Sequence, residues 1–153
     1  MSNIALSTNQ IDDLLKTDSN FKGAFPCDQI PHSAVNEHSY VINTDPMALP
    51  GAHWCALLIR ENNAYFFDSF GRFYDNQSFP VIFRENLRKM CFDKKVVFQN
   101  KVLQGFHSNT CGEYCVYFIK QMSKHVNFNN IFRDFTQNLK ANDKKIMTLY
   151  KET

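Results

Sequence analysis

Two apolar runs, His53 to Arg60 and Ala64 to Phe70, constrain this chain more than any other feature. They are separated by Glu61-Asn62-Asn63, which reads as the turn of a β-hairpin. Their apolar character is nearly continuous rather than alternating, so both faces of the strand pair must be covered. The rest of the chain supplies the cover. Residues Thr8 to Lys16 read as a short helix with Thr8 as N-cap and Ile11, Leu14 and Leu15 on one face. Phe21 to Pro31 reads as a loop, broken by Gly23, Pro26 and Pro31; Tyr40 to Asn43 is a strand running into Thr44-Asp45-Pro46. Ser78 to Met90 has a helix opening with Pro80 in its first turn and Val81, Phe83, Leu87 and Met90 directed inward. Lys95 to Gln99 is a further strand. Cys111 to His125 is the strongest helix, with Cys111, Cys115, Phe118, Ile119 and Met122 on one stripe. Two short helices, around Ile131 to Leu139 and Asp143 to Tyr150, close the chain. This order predicts an α+β fold with a central mixed or antiparallel sheet flanked by helices. No repeat, linker or low-complexity tract divides it, so residues 1–153 are read as a single domain.

With 44% hydrophobic and 14% aromatic residues, 15 of them Phe, the chain can build a real core. A formal net charge of +2 is small for a dedicated nucleic-acid binder. No apolar stretch of about 18 residues is present, and Met1 to Gln10 is polar, without the apolar centre of a signal peptide. A soluble, intracellular protein is expected. The cysteines are Cys27, Cys55, Cys91, Cys111 and Cys115, an odd set without a secretory signal, which argues against a disulfide framework. Cys111 and Cys115 lack a second close pair, and His53 with Cys55 makes only two ligands on one strand face, so no metal site is expected.

Four places carry chemistry. His53-Trp54 opens one strand, Asp68-Ser69 ends the next, Gln104-Gly105 leads into a loop, and Cys111-Gly112 opens the long helix. A thiol at a helix N-terminus meets unpaired N–H groups and the positive end of the dipole, which favour thiolate, the nucleophilic form. A neighbouring imidazole pairs with that thiolate and can protonate a leaving amine. A carboxylate on its other nitrogen fixes its tautomer and rotation. A side-chain amide and the backbone N–H at the helix start can receive an oxyanion. A hairpin puts the start of its first strand beside the end of its second, which brings His53 to Asp68. Gly112 would keep the neighbourhood of the thiol open to a substrate backbone.

Gln104-Gly105-Phe106-His107-Ser108-Asn109-Thr110-Cys111-Gly112 resembles the glutamine-to-cysteine segment of adenain, the adenovirus maturation protease. Gly51-Ala52-His53-Trp54 is similar to that family's His-Trp strand opening, and Tyr65 to Gly71 to its acidic strand end and Phe-Gly turn. The His, Asp, Gln, Cys order is shared with the wider Ulp1-like clan of SUMO- and ubiquitin-like-specific proteases. Similar stretches occur in proteases of virophages and Maverick/Polinton elements. The resemblance runs from about Phe21 to Phe118. It implies an Ulp1/adenain-like cysteine protease fold, with Cys111 as nucleophile, His53 as base, Asp68 as orienting acid and Gln104 as oxyanion donor. Adenain has Glu where Asp68 stands, and Asp is the Ulp1-like choice; Asp75, past the Phe70-Gly71 turn, is a weaker rival.

The same resemblance implies substrates among the capsid or core precursors of a DNA virus or related element, and a monomer acting in a virion or viral factory. No cofactor is required by the sequence. Adenain tethers an activating peptide through a cysteine just before the equivalent strand, a position Cys91 resembles, and it uses DNA as a cofactor. The basic residues Arg84, Arg88, Lys89, Lys94, Lys95, Lys101, Lys140, Lys144 and Lys145 would allow weak DNA binding, although interspersed acids favour plain solvated faces. Trp54 is expected over the imidazole or in the core. His107 is expected to line the cleft or lie exposed, and His32, His38 and His125 to lie on the surface. Two other readings stand beside proteolytic maturation: an isopeptidase removing ubiquitin-like modifiers, and an inactive scaffold on the same fold.

Overall fold

A computed structural model describes residues 5–33 and 36–152; of the polar Met1 to Gln10 stretch, residues 1–4 lie outside the described residues. Five strands form one sheet in the order β1-β2-β3-β4-β5: β1 (Phe21–Pro26), β2 (Glu37–Asn43), β3 (Trp54–Arg60), β4 (Asn63–Phe67) and β5 (Lys95–Phe98). The two outer pairings, β1 with β2 and β4 with β5, are parallel, and the inner ones are antiparallel. The sheet is therefore mixed. Among the described residues four α-helices accompany it: α1 (Thr8–Leu14), α2 (Val81–Met90), α3 (Cys111–Ser123) and α4 (Leu139–Leu149).

The hairpin of β3 and β4 forms as the apolar runs require. Six of the seven β3 residues are buried, and side chains alternate between two apolar layers. Ala56, Leu58 and Phe67 join α1, α3 and α4 on one face, while Cys55, Leu57, Ile59 and Phe66 join α2 on the other. Phe67 lies between Phe118 and Phe132, with ring centroids 5.1 and 4.9 Å away, which locks α3 to the sheet.

Several expectations shift. The turn is tighter than expected: Arg60 pairs with Asn63, so only Glu61 and Asn62 connect the strands, Glu61 with φ of 55°. The cap of α1 is Ser7 rather than Thr8, in a capping box with Gln10. Phe21–Pro26 is a strand, not a loop. As the sheet's outer member it tolerates Pro26, and its register slips between Phe21 and Ala24, around Gly23 at φ 135°. Pro80 is the N-cap of α2, and Val81 is exposed while Phe83 and Leu87 are buried. The helix expected over Ile131 to Leu139 does not form before α4 starts at Leu139; a 3-10 turn at Phe128–Asn130 and further turns stand in its place. The buried Ile131, Phe132 and Phe135 imitate a helical spacing there because α3 demands apolar cover, not because the backbone is helical. α4 begins at Leu139, before the expected Asp143. His38 is buried on β2 with its ring edge-on to Tyr40, contrary to a surface position.

Candidate active site

His53 is positioned by backbone. Its carbonyl accepts the N–H of Thr44 at 2.9 Å, which extends the β2–β3 pairing by one step. The Asn43 side chain steadies the loop before it, accepting from the N–H groups of Asp45 and Ala52 at 2.9 and 3.1 Å. Asp68 follows directly on β4, fully buried, with its Oδ1 2.6 Å from His53 Nε2. That bond leaves Nδ1 of the imidazole free of Asp68, and the Cys111 thiol lies close enough to the ring to help hold a charge on it. Burial opposes a charge on His53, but the bonds and charges of Asp68 and Cys111 outweigh it and push its pKa up to about 9. Burial likewise opposes charge on Asp68, yet His53 and Arg72 hold its carboxyl below the usual range.

The turn after β4 supplies more than the acid. Gly71 donates its N–H to the Asp68 carbonyl at 2.8 Å, with φ of 74°. A Cβ there would meet the Asn100 backbone at 2.8 Å, so no larger residue fits. The tight reversal returns Arg72 onto Asp68, where Nε donates to Oδ2 at 2.8 Å and the backbone N–H to the same oxygen at 3.1 Å. The Arg72 guanidinium also lies 4.1 Å from the centre of the Phe79 ring. Phe70 stacks on His53 at 5.2 Å and 25°. Thus Phe70, rather than Trp54, lies against the imidazole, while Trp54 donates its indole N–H to the Leu6 carbonyl at 2.9 Å.

Gln104 is buried and oriented from both ends of its amide. Ser69 Oγ donates to Oε1 at 2.6 Å, and Nε2 donates to the Ser108 carbonyl at 2.9 Å. Since Nε2 bears two N–H groups, one remains beyond the bond to Ser108. Cys111 begins α3, preceded by Thr110 at the cap. One turn on, the Cys115 thiol donates to the Trp54 carbonyl at 3.4 Å, tying α3 to the start of β3. A Cβ on Gly112 would meet Leu6 at 3.1 Å and Trp54 at 3.4 Å, so this glycine admits the N-terminal segment, not a substrate backbone.

A residue that no sequence motif signalled holds the Gln104-to-Cys111 loop. Asp143, on α4, accepts the Gly105 N–H at 3.1 Å with Oδ2, and the hydroxyls of Thr110 and Tyr114 at 3.0 and 2.9 Å with Oδ1. One carboxylate therefore pins both ends of the loop. Gly105 is small for the same reason, since a Cβ would lie 2.8 Å from Asp143 Oδ2.

A cleft of about 440 Å³ holds Cys111 and His53 and is lined also by Leu6, Trp54 and, from the β2–β3 loop, Met47 and Leu49. His107 is exposed in the Gln104-to-Cys111 loop. Asp75 instead pairs with Arg88 at 2.7 Å. His53, Cys55 and Asp68 converge within 4.8 Å as metal ligands would. Here those atoms face one another: the His–Asp bond uses the imidazole Nε2, and the Cys55 thiol donates to Asp68 Oδ1 at 3.8 Å. Cys91 is buried, and burial pushes its thiol up to about 12, whereas disulfide exchange needs an accessible thiolate. Among the basic residues, Lys94 donates to the Glu61 carbonyl and Lys101 to those of Phe132 and Phe135. No helix is long and apolar enough to cross a membrane among the described residues.

The crystal structure of the ASFV pS273R protease is similar with a TM-score of 0.61 and 18% identity, over 97% of this chain and 67% of that one. Its selenomethionine form gives 0.57 and 16%, over 97% and 69%. No curated protein sequence matches. The sequence model of the family described as adenovirus endoprotease matches residues 20–146. The α+β fold is thus that of a viral cysteine protease, and the chain belongs to the adenovirus endoprotease family.

Proposed function

We propose that the chain is a cysteine endopeptidase, a single domain over residues 1–153, that matures capsid or core precursors, with Cys111, His53, Asp68 and Gln104 as its catalytic set. The observation that carries the reading is His53, bonded to a buried carboxylate and lining one cleft with the thiol at the start of α3. Family membership makes the substrates proteins. A protonated imidazole beside a thiol at a helix N-terminus supports an ion pair in which the sulfur is the nucleophile. Cys111 Sγ adds to the scissile carbonyl carbon. The oxygen, now negative, is received by the second N–H of Gln104 Nε2 and the backbone N–H of Cys111. His53 gives its proton to the amide nitrogen, the C–N bond breaks and the amine leaves. Water, deprotonated by His53, then attacks the thioester carbonyl, the C–S bond breaks, and the acid departs, leaving the Cys111 thiolate beside the reprotonated imidazole.

The test is to incubate the purified chain with the major capsid precursor encoded beside it and to sequence the new termini. Cleavage that disappears in Cys111→Ala is expected. Cleavage surviving that substitution excludes the mechanism. Asp68, the acid typical of modifier-specific proteases, favours one alternative, and cleavage of a SUMO-type conjugate in place of the precursor would select it.

A further inference from the structure

An aromatic column leads away from His53 outside the lining of the cleft. Phe70 stacks on the imidazole at 5.2 Å, and Phe106 stacks on Phe70 at 6.1 Å with the planes only 7° apart. The column runs from near burial to open solvent: the His53 side chain is 12% exposed and Phe106 is 75% exposed. Neither phenylalanine belongs to the walls of the cleft that holds Leu6, Met47 and Trp54. So large an exposed ring on a wandering loop would mean little. This loop is fixed. Gly105 is bonded to Asp143, Ser108 N–H to the Gly105 carbonyl at 3.1 Å, and Thr110 again to Asp143. A rigid, flat, apolar surface is therefore presented within the same loop that joins Gln104 to Cys111.

We propose that Phe70 and Phe106 form a shelf that receives an apolar or aromatic side chain of the substrate on the leaving-group side of the cleaved bond. This rests on the reading of the chain as a cysteine protease. The leaving nitrogen must reach the His53 nitrogen that faces Cys111, and the chain following it continues past the imidazole. What continues the imidazole surface is Phe70 and then Phe106. A flat hydrocarbon face stacked there loses water on both sides, whereas glycine gains nothing and a carboxylate loses hydration. Selection by such a partly open shelf is of the order of tenfold, the lower end of what an apolar contact gives.

The experiment is digestion of a proteome-derived peptide library by the purified chain, with cut sites read by mass spectrometry and Cys111→Ala as background. Phe106 is exposed, so Phe106→Ala should fold, and Phe106→Leu keeps an apolar surface. The wild type is expected to enrich Phe, Tyr, Leu or Met about tenfold over Gly and Asp within the first two residues after the cut. That enrichment should collapse in Phe106→Ala and return in large part in Phe106→Leu, while preferences before the cut stay as they were. Cutting without enrichment, enrichment untouched by Phe106→Ala, or a change confined to residues before the cut would each overturn the shelf alone. A wild type that cuts no peptide overturns the protease reading and the shelf with it.

Discussion

The charge on His53 is set by two neighbours of different kinds. Burial disfavours the imidazolium, but Asp68 and Cys111 hold it on, up to about 9. If it must be protonated to release the amine, activity falls on the alkaline side with a midpoint near 9, read as kcat/KM against pH. Asp68→Asn removes the negative charge, and the alkaline midpoint should move to lower pH with kcat reduced. Stability follows the same group: the raised pKa contributes fully below the ordinary value of 6.5 and is lost as pH climbs through about 9. This much was legible in sequence, because a hairpin places His53 near the end of the following strand. The Phe70 contact was not. A three-residue turn would put His53 level with Gly71, whereas the observed pairing of Arg60 with Asn63, carried outward, puts it level with Phe70. One residue of turn length decided which side chain covers the imidazole.

At the scale of elements, α4 has its function at a distance from any motif. Its Asn142 side chain donates to the Leu103 carbonyl at 3.1 Å, and Asp143 binds Gly105 and Thr110, so two consecutive residues hold the loop before α3. Asp143→Ala should lower kcat by up to about a hundredfold, the scale of a displacement of about 1 Å at a catalytic group, with KM little changed. Asp143→Asn keeps one acceptor and should retain an intermediate rate; equal loss in both, accompanied by unfolding in circular dichroism, would mark a merely structural role. Sequence could not foresee this. The Gln104-to-Cys111 spacing is local and readable, while a lone Asp one helix later carries no pattern. β1 was hidden differently: Gly23 and Pro26 punctuate it as a loop, and only pairing with β2 at the sheet's edge makes it a strand.

Across the whole molecule, α3 carries the apolar layer that covers one face of the sheet, and Glu113 is buried on that helix. Its Oε1 has no hydrogen-bond partner among the described residues, and burial, with the nearby charge of Asp143, raises its pKa to about 7. The sign is opposite to that of His53's neighbour Asp68. A carboxyl raised from 4.5 to about 7 binds its proton more tightly when folded, so its charge weakens the fold as pH rises across that interval. Glu113→Gln should therefore be more stable than the wild type at pH 8 and about equal to it at pH 4.5, the difference opening between these values in thermal melts. A gap that does not vary with pH would show that Glu113 stays charged throughout.

The five residues from Asp68 to Arg72 hold the imidazole, the Gln104 amide and the reversal of the chain together within a single turn. Mutational tolerance should follow that economy. In a saturation scan scored by cleavage, these positions should form one uninterrupted valley of intolerance. It should include Gly71, which touches no reacting atom, because at φ 74° and against Asn100 a side chain has nowhere to go. Chain length there should be equally guarded, so that inserting one residue is as damaging as replacing the acid. Drift in such a family would then be free around this turn and nearly frozen within it.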